Sequence, residues 1–500
     1  MAEKREPTLL ESFIPIIFLI LLLSLNVGLF GSESLGGSNQ IVLIISSAVA
    51  GLVAVRLGYS WFELREGVVK TISSAMTSIL ILLLIGSLAG SWMLAGIVPA
   101  MIYYGLQILS PGIFLFAACV ICSIVSVATG SSWTTSATVG IALIGIGTAL
   151  GIPVGWVAGA ILSGAYFGDK LSPLSDTTNL APAMAGTDLF THIRYMTITT
   201  GPSILLALVV FLIYGFTTGG EGSLQEKDLI LNAIANKFHI SGWLFIVPIV
   251  VIVLIVRKTP ALPALFAGTM LAIVFAFIFQ PELVFEVGRK VSADGKLLKM
   301  VGGIEQANGF LLGFMGMMQA LFGDIGFEIG IAKLDEEGLL ASGGMNGMLK
   351  TVWLIVSAMV YGGIMEKAGF LRRIAAAVLS MVNSVGSLVA STAGTCVFFN
   401  VTASDQYLAI VVPGRMYADV YKEKGLAPEN LSRTLEDSGT VTSVLVPWNT
   451  CGAFHSNVLG VPTLAYLPYC IFNIVSPLMT ILVAYTGFKV RKLTSSKENA

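Results

Sequence analysis

Long apolar runs, each closed by a short cluster of polar or charged residues, recur from one end of the chain to the other. Phe13 to Phe30 is 18 apolar-rich residues, enough to cross most of a bilayer core at about 1.5 Å per helical residue. Its length, the spans after it and the lack of a clean small-x-small site favour an uncleaved first span over a signal peptide. Ile72 to Ile108 is too long for one straight span and is punctuated by Gly86, Gly90, Ala95 and Gly96. It therefore reads as bent or as two elements, with Gly86 and Gly90 allowing close helix contact. Pro111 to Val127, Met196 to Phe216, Trp243 to Val256 and Ala261 to Phe279 read as further spans. Gln280 to Ser342 mixes apolar and charged residues and reads as extramembrane or interfacial helices linking two halves. Within it, Phe310 to Phe322 is short for a span.

The polar interruptions carry the chemistry. Gly130 to Thr138, GSSWTTSAT, lies between two apolar runs and fits the tip of a re-entrant hairpin, offering Ser131, Thr134 and Thr135. Ile152 to Leu162 then leads a helix into GAYFGDKLSPLSDTTNLAP, residues 164–182. Glycines and two prolines break the hydrogen-bond ladder there, while hydroxyls and an amide offer other partners. Asp169, Asp176, Ser175, Thr177 and Asn179 are the candidate ligands of this first break. A solvated loop with Asp169 beside Lys170 as a surface pair is the plainer alternative. Ionisable groups next to membrane segments favour function.

The second half echoes the first. Gly363, Ala368 and Gly369 repeat Gly90, Ala95 and Gly96 at an offset of 369 − 96 = 273 residues. Asn400 to Gln406, NVTASDQ, repeats the polar tip at 400 − 130 = 270, and Asp437 in LEDSGT repeats Asp169 at 437 − 169 = 268. The second copy offers Asn400, Thr402, Ser404, Asp405, Asp437, Thr440 and Asn449. Pro428 reads as the start of a short helix in water, and Glu436 either as its exposed end or as part of a second break with Asp437, Ser438 and Thr440. Asp437 is favoured as a ligand because of its repeat position. Glu366 reads as an interfacial anchor beside Lys367, and His455 as a packed histidine.

Composition agrees with a membrane protein. Of 500 residues 55% are hydrophobic and 11% charged, with a mean hydropathy of +0.86, too little polar surface for a water-soluble globule of this size. A net charge of −1 with scattered Lys and Arg argues against nucleic acid. Lys4 and Arg5 precede the first run, Gly31 to Gln40 holds no Lys or Arg, and Arg56, Arg65 and Lys70 follow the second run. That asymmetry places the N-terminus in the cytoplasm of a cell whose inner membrane holds the protein. Five cysteines lie mostly in apolar runs, and Cys119 and Cys122 read as packed thiols. No nucleophile and base pair, P-loop or dinucleotide fingerprint is present, so neither an enzyme nor ATP-driven transport is expected. No short repeated filter suggests a channel.

Oxygen-rich breaks with carboxylates suit sodium, a hard cation, and Asp169, Asp176 and Asp437 are the expected Na+ ligands. Proton and sodium compete for a sheltered carboxylate, and that exclusivity produces antiport if access changes only with one of them bound. GSSWTTSAT, SGAYFGDKLSPLSDTTNLAPA, GGIMEKAG and VPWNTCGAF together resemble the NhaC-type sodium/proton antiporter family, over most of the chain from LLESFIPI to about Ala484. The resemblance implies an all-α polytopic membrane protein built from two inverted-topology repeats with re-entrant hairpins and broken transmembrane helices. It also implies a homodimer, no cofactor beyond the transported Na+ and H+, and the bilayer as partner. A small organic anion of the malate or lactate type is the second substrate reading, with hydroxyl tips and Lys170 as donors. The organisation expected is N-terminal transmembrane helices over 1–68 and a first transport repeat over 69–216. Linker spans and an interfacial segment follow over 217–342, then a second repeat over 343–488 and a cytoplasmic tail over 489–500.

Overall fold

The computed structural model describes residues 4–30, 36–218, 224–300, 302–336, 338–380 and 382–493. Among them are eight helices long and apolar enough to cross a membrane, or ten if two bent pairs each count as one span. Leu21, Leu52, Ile124 and Leu205 are more than 60% exposed on their outer faces, as expected of helices solvated by lipid. The fold is helical because in hydrocarbon each backbone N–H and C=O must be satisfied within its own segment. A two-residue ribbon, Ile325–Gly326 against Ala341–Ser342, is the exception.

The long third helix, Trp61–Leu94, starts at a capping box: Glu63 N–H donates to Ser60 Oγ, and the Glu63 carboxylate accepts from Ser60 N–H at 3.0 Å. It ends where Gly96 adopts φ 76°, and Ile97–Ile108 follows as a separate helix. The Ile72 to Ile108 run is thus two elements, as its punctuation suggests. A Cβ at Gly90 would lie 1.8 Å from the Ala320 carbonyl. The apolar helix Gly309–Phe322 therefore rests directly on the third helix, and Ser87 Oγ donates to Leu321 O at 2.9 Å.

Backbone landmarks recur between the halves at a nearly constant offset. Gly96 (φ 76°, ψ 10°) and Gly369 (φ 76°, ψ 9°) start equivalent helices. Gly130 ends Pro111–Thr129 as Ala403 ends Val385–Thr402, an offset of 403 − 130 = 273. Pro173 and Pro447 sit in the two breaks at 447 − 173 = 274. Ser175 caps Asp176–Ala185 as Asn449 caps Thr450–Leu459, and left-handed Gly186 and Gly460 close those helices. This geometry corrects the register read from polar residues. At 274 the counterpart of Asp169 is Ser443, and that of Asp437 is Ser163. The polar-residue alignment slipped because it matched chemistry, whereas the repeat preserves caps and breaks.

One further expectation fails. Pro428 does begin a helix, Pro428–Leu435, but Glu429, Asn430, Ser432, Arg433 and Thr434 in it are all buried, so it does not lie in water. The Arg433 guanidinium stacks on the Tyr195 ring at 4.5 Å, and Arg491 pairs with Glu429 at 3.0 Å. The start of the expected tail is pinned there, since Arg491 O accepts from Ala427 N–H (3.1 Å) and Asn430 Nδ2 (2.7 Å). Residues 494–500 of that tail lie outside the described residues. Cys119, Cys122, Cys396, Cys451 and Cys470 are buried free thiols.

Candidate functional site

The helix Val154–Leu171 brings Asp169 to the centre of the molecule. Glycine makes its close approach possible: a Cβ at Gly164 would fall 2.1 Å from Cys119 O and one at Gly168 2.5 Å from Ser123 O, both on Pro111–Thr129. The helix stops because Pro173 follows; Ser175 then caps the next helix by accepting from Thr178 N–H. In the opposite element Gly130 turns the chain with φ 68°, and Ser131 caps Ser132–Thr135. That short helix aims its first donors at the break. Asp169 Oδ2 accepts from Ser132 N–H at 3.0 Å and from Ser132 Oγ at 2.7 Å.

Asp169, 7% exposed, lines a cavity of about 620 Å³ shared by both halves. The first tip contributes Ser131, Trp133 and Thr134, the first break Ser175, Asp176 and Thr177, and the second half Gln406, Tyr407 and Thr450. The third helix adds Ser74, Thr77 and Ser78, and the turn between Ile246–Val256 and Ala261–Phe279 adds Lys258.

Behind this cavity lies a sealed polar layer. Asp437 is fully buried against the Lys170 ammonium and also accepts from Thr199 (2.7 Å) and Ser476 (3.1 Å). Glu436, equally buried, accepts from Thr177 Oγ1 at 2.9 Å and Thr440 Oγ1 at 2.8 Å. Thr177 thus connects the cavity wall to the second half.

The Na+/H+ antiporter family model matches residues 164–322 and 307–488, which include Asp169, Glu436 and Asp437. The chain belongs to the Na+/H+ antiporter family. It is 36% identical over 492 residues to the malate-2H(+)/Na(+)-lactate antiporter of Bacillus subtilis, covering 97% of this chain and 96% of that one. It is 35% identical to the Na(+)/H(+) antiporter NhaC of Alkalihalophilus pseudofirmus, covering 91% of each. The arginine/ornithine antiporter ArcD of Halobacterium salinarum is 35% identical, covering 98% of this chain and 94% of that one. These relatives are named as antiporters, and this chain is a secondary antiporter of multi-pass membrane architecture.

Within this antiporter, the expected ligands separate into two groups. Asp169, Asp176, Ser131, Thr134, Ser175 and Thr177 share the cavity, with Asp176 exposed on its wall. Asn179 turns away to bond Pro173 O and Ser175 O, and Thr135 Oγ1 donates to Ser131 O. Asn400 Nδ2 donates to Gly439 O at 2.7 Å and Asn449 Nδ2 to Asn400 O at 3.1 Å, tying the second tip to the second break. Asp405 accepts from Leu408 N–H as a helix start, Thr402 Oγ1 donates to Phe398 O, and Ser404 turns the chain at φ 59°. Thr440 serves Glu436.

Of the expected Na+ ligands, Asp169 and Asp176 line the cavity and Asp437 does not. Among the described residues no group of three acidic, histidine or cysteine side chains converges, and Asp437 is committed to Lys170. Lys170 is accordingly a buried ion-pair partner, occupied by Asp437 and Ser476. Glu436, open between an exposed helix end and a place in the second break, is 0% exposed, which removes the first. The hydroxyls Ser74, Thr77 and Ser78 lie in an apolar run; their helical spacing in KTISSAMTSIL is the signal that marks one wetted face.

Proposed function

We propose that this antiporter exchanges Na+ for H+ across the cytoplasmic membrane by alternating access, with Asp169 as the carboxylate that meets the cation. The observation that carries the reading is the placement of Asp169: nearly buried, fixed by two donors from Ser132, and facing a hydroxyl-lined cavity common to both halves. A hard cation there finds one carboxylate with hydroxyl and carbonyl oxygens around it. Ser131, Thr134, Ser175 and Thr177 are the nearest such donors, with Asp176 at the wall drawing cations in.

An inward-open arrangement follows from the same cavity. Lys258, beside Arg257 in a basic turn, lines it, and basic turns mark the cytoplasmic side. The N-terminus is assigned to that side too, supported by the Lys4–Glu63 contact and the 2.8 Å Lys367–Glu66 pair, which gather basic residues on one face. Two inverted repeats would let the two breaks exchange roles as the cavity closes and reopens on the other face.

A second reading, exchange coupled to a small organic anion, is favoured by the cavity's size. About 620 Å³ exceeds what a bare cation needs, since a water's share of liquid volume is about 30 Å³, and Lys258 supplies a positive charge. Proteoliposomes loaded with a pH dye separate the two. Added sodium moves protons in the wild type and not in Asp169→Asn, with or without malate or lactate. If malate or lactate is required for proton movement, the second reading replaces the first. Wild-type exchange rates in Asp169→Asn refute both.

A further inference from the structure

We infer that Glu436 is a second cation-binding position, enclosed one layer behind Asp169, that holds a monovalent cation, proton or Na+, during the exchange cycle. The inference rests on the antiport reading above and extends it from one carboxylate to two.

Glu436 is a carboxylate at 0% exposure in a helix that loosens into a π-turn over Glu436–Thr440. Such turns inside helices are frequent at functional sites. Its two oxygens accept from one threonine hydroxyl each, Thr177 and Thr440. No lysine, arginine or histidine nitrogen lies within 4.0 Å of it among the described residues. The charged and titratable groups around it are Lys170 and Asp169 from Val154–Leu171, Cys396 from Val385–Thr402, adjacent Asp437, and Arg433 one turn earlier. Lys170 is bound to Asp437, and Arg433 to the Tyr195 face. The enclosed carboxylates Glu436 and Asp437 therefore share one ammonium, which contacts only Asp437, while the enclosed Arg433 guanidinium lies against Tyr195 and makes no hydrogen bond among the described residues.

An enclosed carboxylate without a cation is strongly unfavourable, so something positive must sit with it. The nature of its partners fits an exchangeable cation. Asp437 is held by an ammonium, which can only donate, so its charge is answered permanently. The partners of Glu436 are hydroxyls, which donate to a carboxylate and accept from a carboxylic acid or turn their oxygens to a metal cation. Access is short as well: Thr177 lines the cavity, and its Oγ1 lies 3.2 Å from Ser175 Oγ and 2.9 Å from Glu436 Oε1. One hydroxyl therefore separates Glu436 from the cavity.

The test compares Glu436→Gln with Asp169→Asn in proteoliposomes, measuring radioactive sodium exchange against internal sodium at fixed pH together with sodium-driven proton flux. Asp169→Asn is expected to lose both. Glu436→Gln is expected to retain sodium self-exchange within about twofold and to move fewer charges per cycle. If the second cation is a proton, its sodium-driven proton flux falls at least tenfold; if it is sodium, the Hill coefficient for sodium drops to one while proton flux persists. Wild-type proton flux and sodium cooperativity in Glu436→Gln overturn the inference. So does loss of sodium self-exchange in a variant that elutes as a folded peak, because Glu436 then acts on the first site. Thr440→Val, which leaves the carboxylate in place, guards against misfolding and is expected to give the same change in milder form. Absence of sodium exchange in the wild type would instead defeat the antiport reading itself.

Discussion

The buried pair Lys170–Asp437 joins the two halves, and it allows a test that separates structural charge from transported charge. Asp437→Asn leaves the Lys170 ammonium enclosed, with Ser476 Oγ at 3.1 Å as its remaining bonded partner. Removing one member of a fully buried pair costs about 3–5 kcal/mol, because the other charge stays desolvated. Converting both members, Lys170→Met with Asp437→Asn, removes the uncompensated charge and keeps an acceptor for Thr199 and Ser476. That double variant is expected to be near neutral. Lys170→Met alone strands the Asp437 carboxylate at a similar cost, so reversible unfolding in mixed micelles, run as a double-mutant cycle, should give a coupling of about 6–10 kcal/mol. Transport is read in the same preparations. Sodium-driven proton flux is expected to fall in Asp437→Asn and to recover in the double variant, since Asp437 makes no contact with the cavity. Additive stabilities would refute the account of the pair. A stable double variant without exchange would refute the assignment of Asp437 as structural and return it to the ion site.

Two further outcomes follow from local geometry. Ser132→Ala removes the 2.7 Å hydroxyl bond to Asp169 and keeps the backbone N–H bond; a loss of about 1 kcal/mol in carboxylate positioning should raise the KM for sodium several-fold with little change in maximal rate. Gly369→Ala and Gly96→Ala both force alanine to φ 76°, worth about 1–2 kcal/mol each. The second should lose more thermal stability, because its Cβ would meet Gln280 Nε2 at 2.4 Å, while at 369 the nearest atom, Pro7 Cδ, is 3.9 Å away.

Much of this antiporter is legible in its residues, and the parts that are not share a cause. Apolar runs locate spans because lipid imposes one rule on all of them, and the Ala95–Gly96 and Gly130 turns declare themselves through glycine. The sheltered placement of Asp169 is legible too, since it is the acid that precedes a proline break after a glycine-faced helix. Reading fails where polarity stops meaning water. The segment Pro428 to Thr440 carries glutamates, an arginine and hydroxyls, and by composition belongs outside the membrane. It lies instead at the centre, because Glu436, Asp437 and Arg433 are answered by Thr177, Lys170 and Tyr195 from the first half. No local pattern encodes partners more than 230 residues away. The same logic explains the slipped register. Matching Asp169 to Asp437 assumes that the halves duplicate chemistry, yet the constant 274-residue spacing of Pro173 with Pro447 and Ser175 with Asn449 shows that they duplicate the places where helices stop. With scaffold repeated and chemistry diverged, Ser443 standing opposite Asp169 is free of charge, and the enclosed carboxylates gather from different positions of each copy. Asp169 accordingly faces the cavity beside the first break while Glu436, in the second half, stays enclosed, and the exchange proposed above draws on that asymmetry.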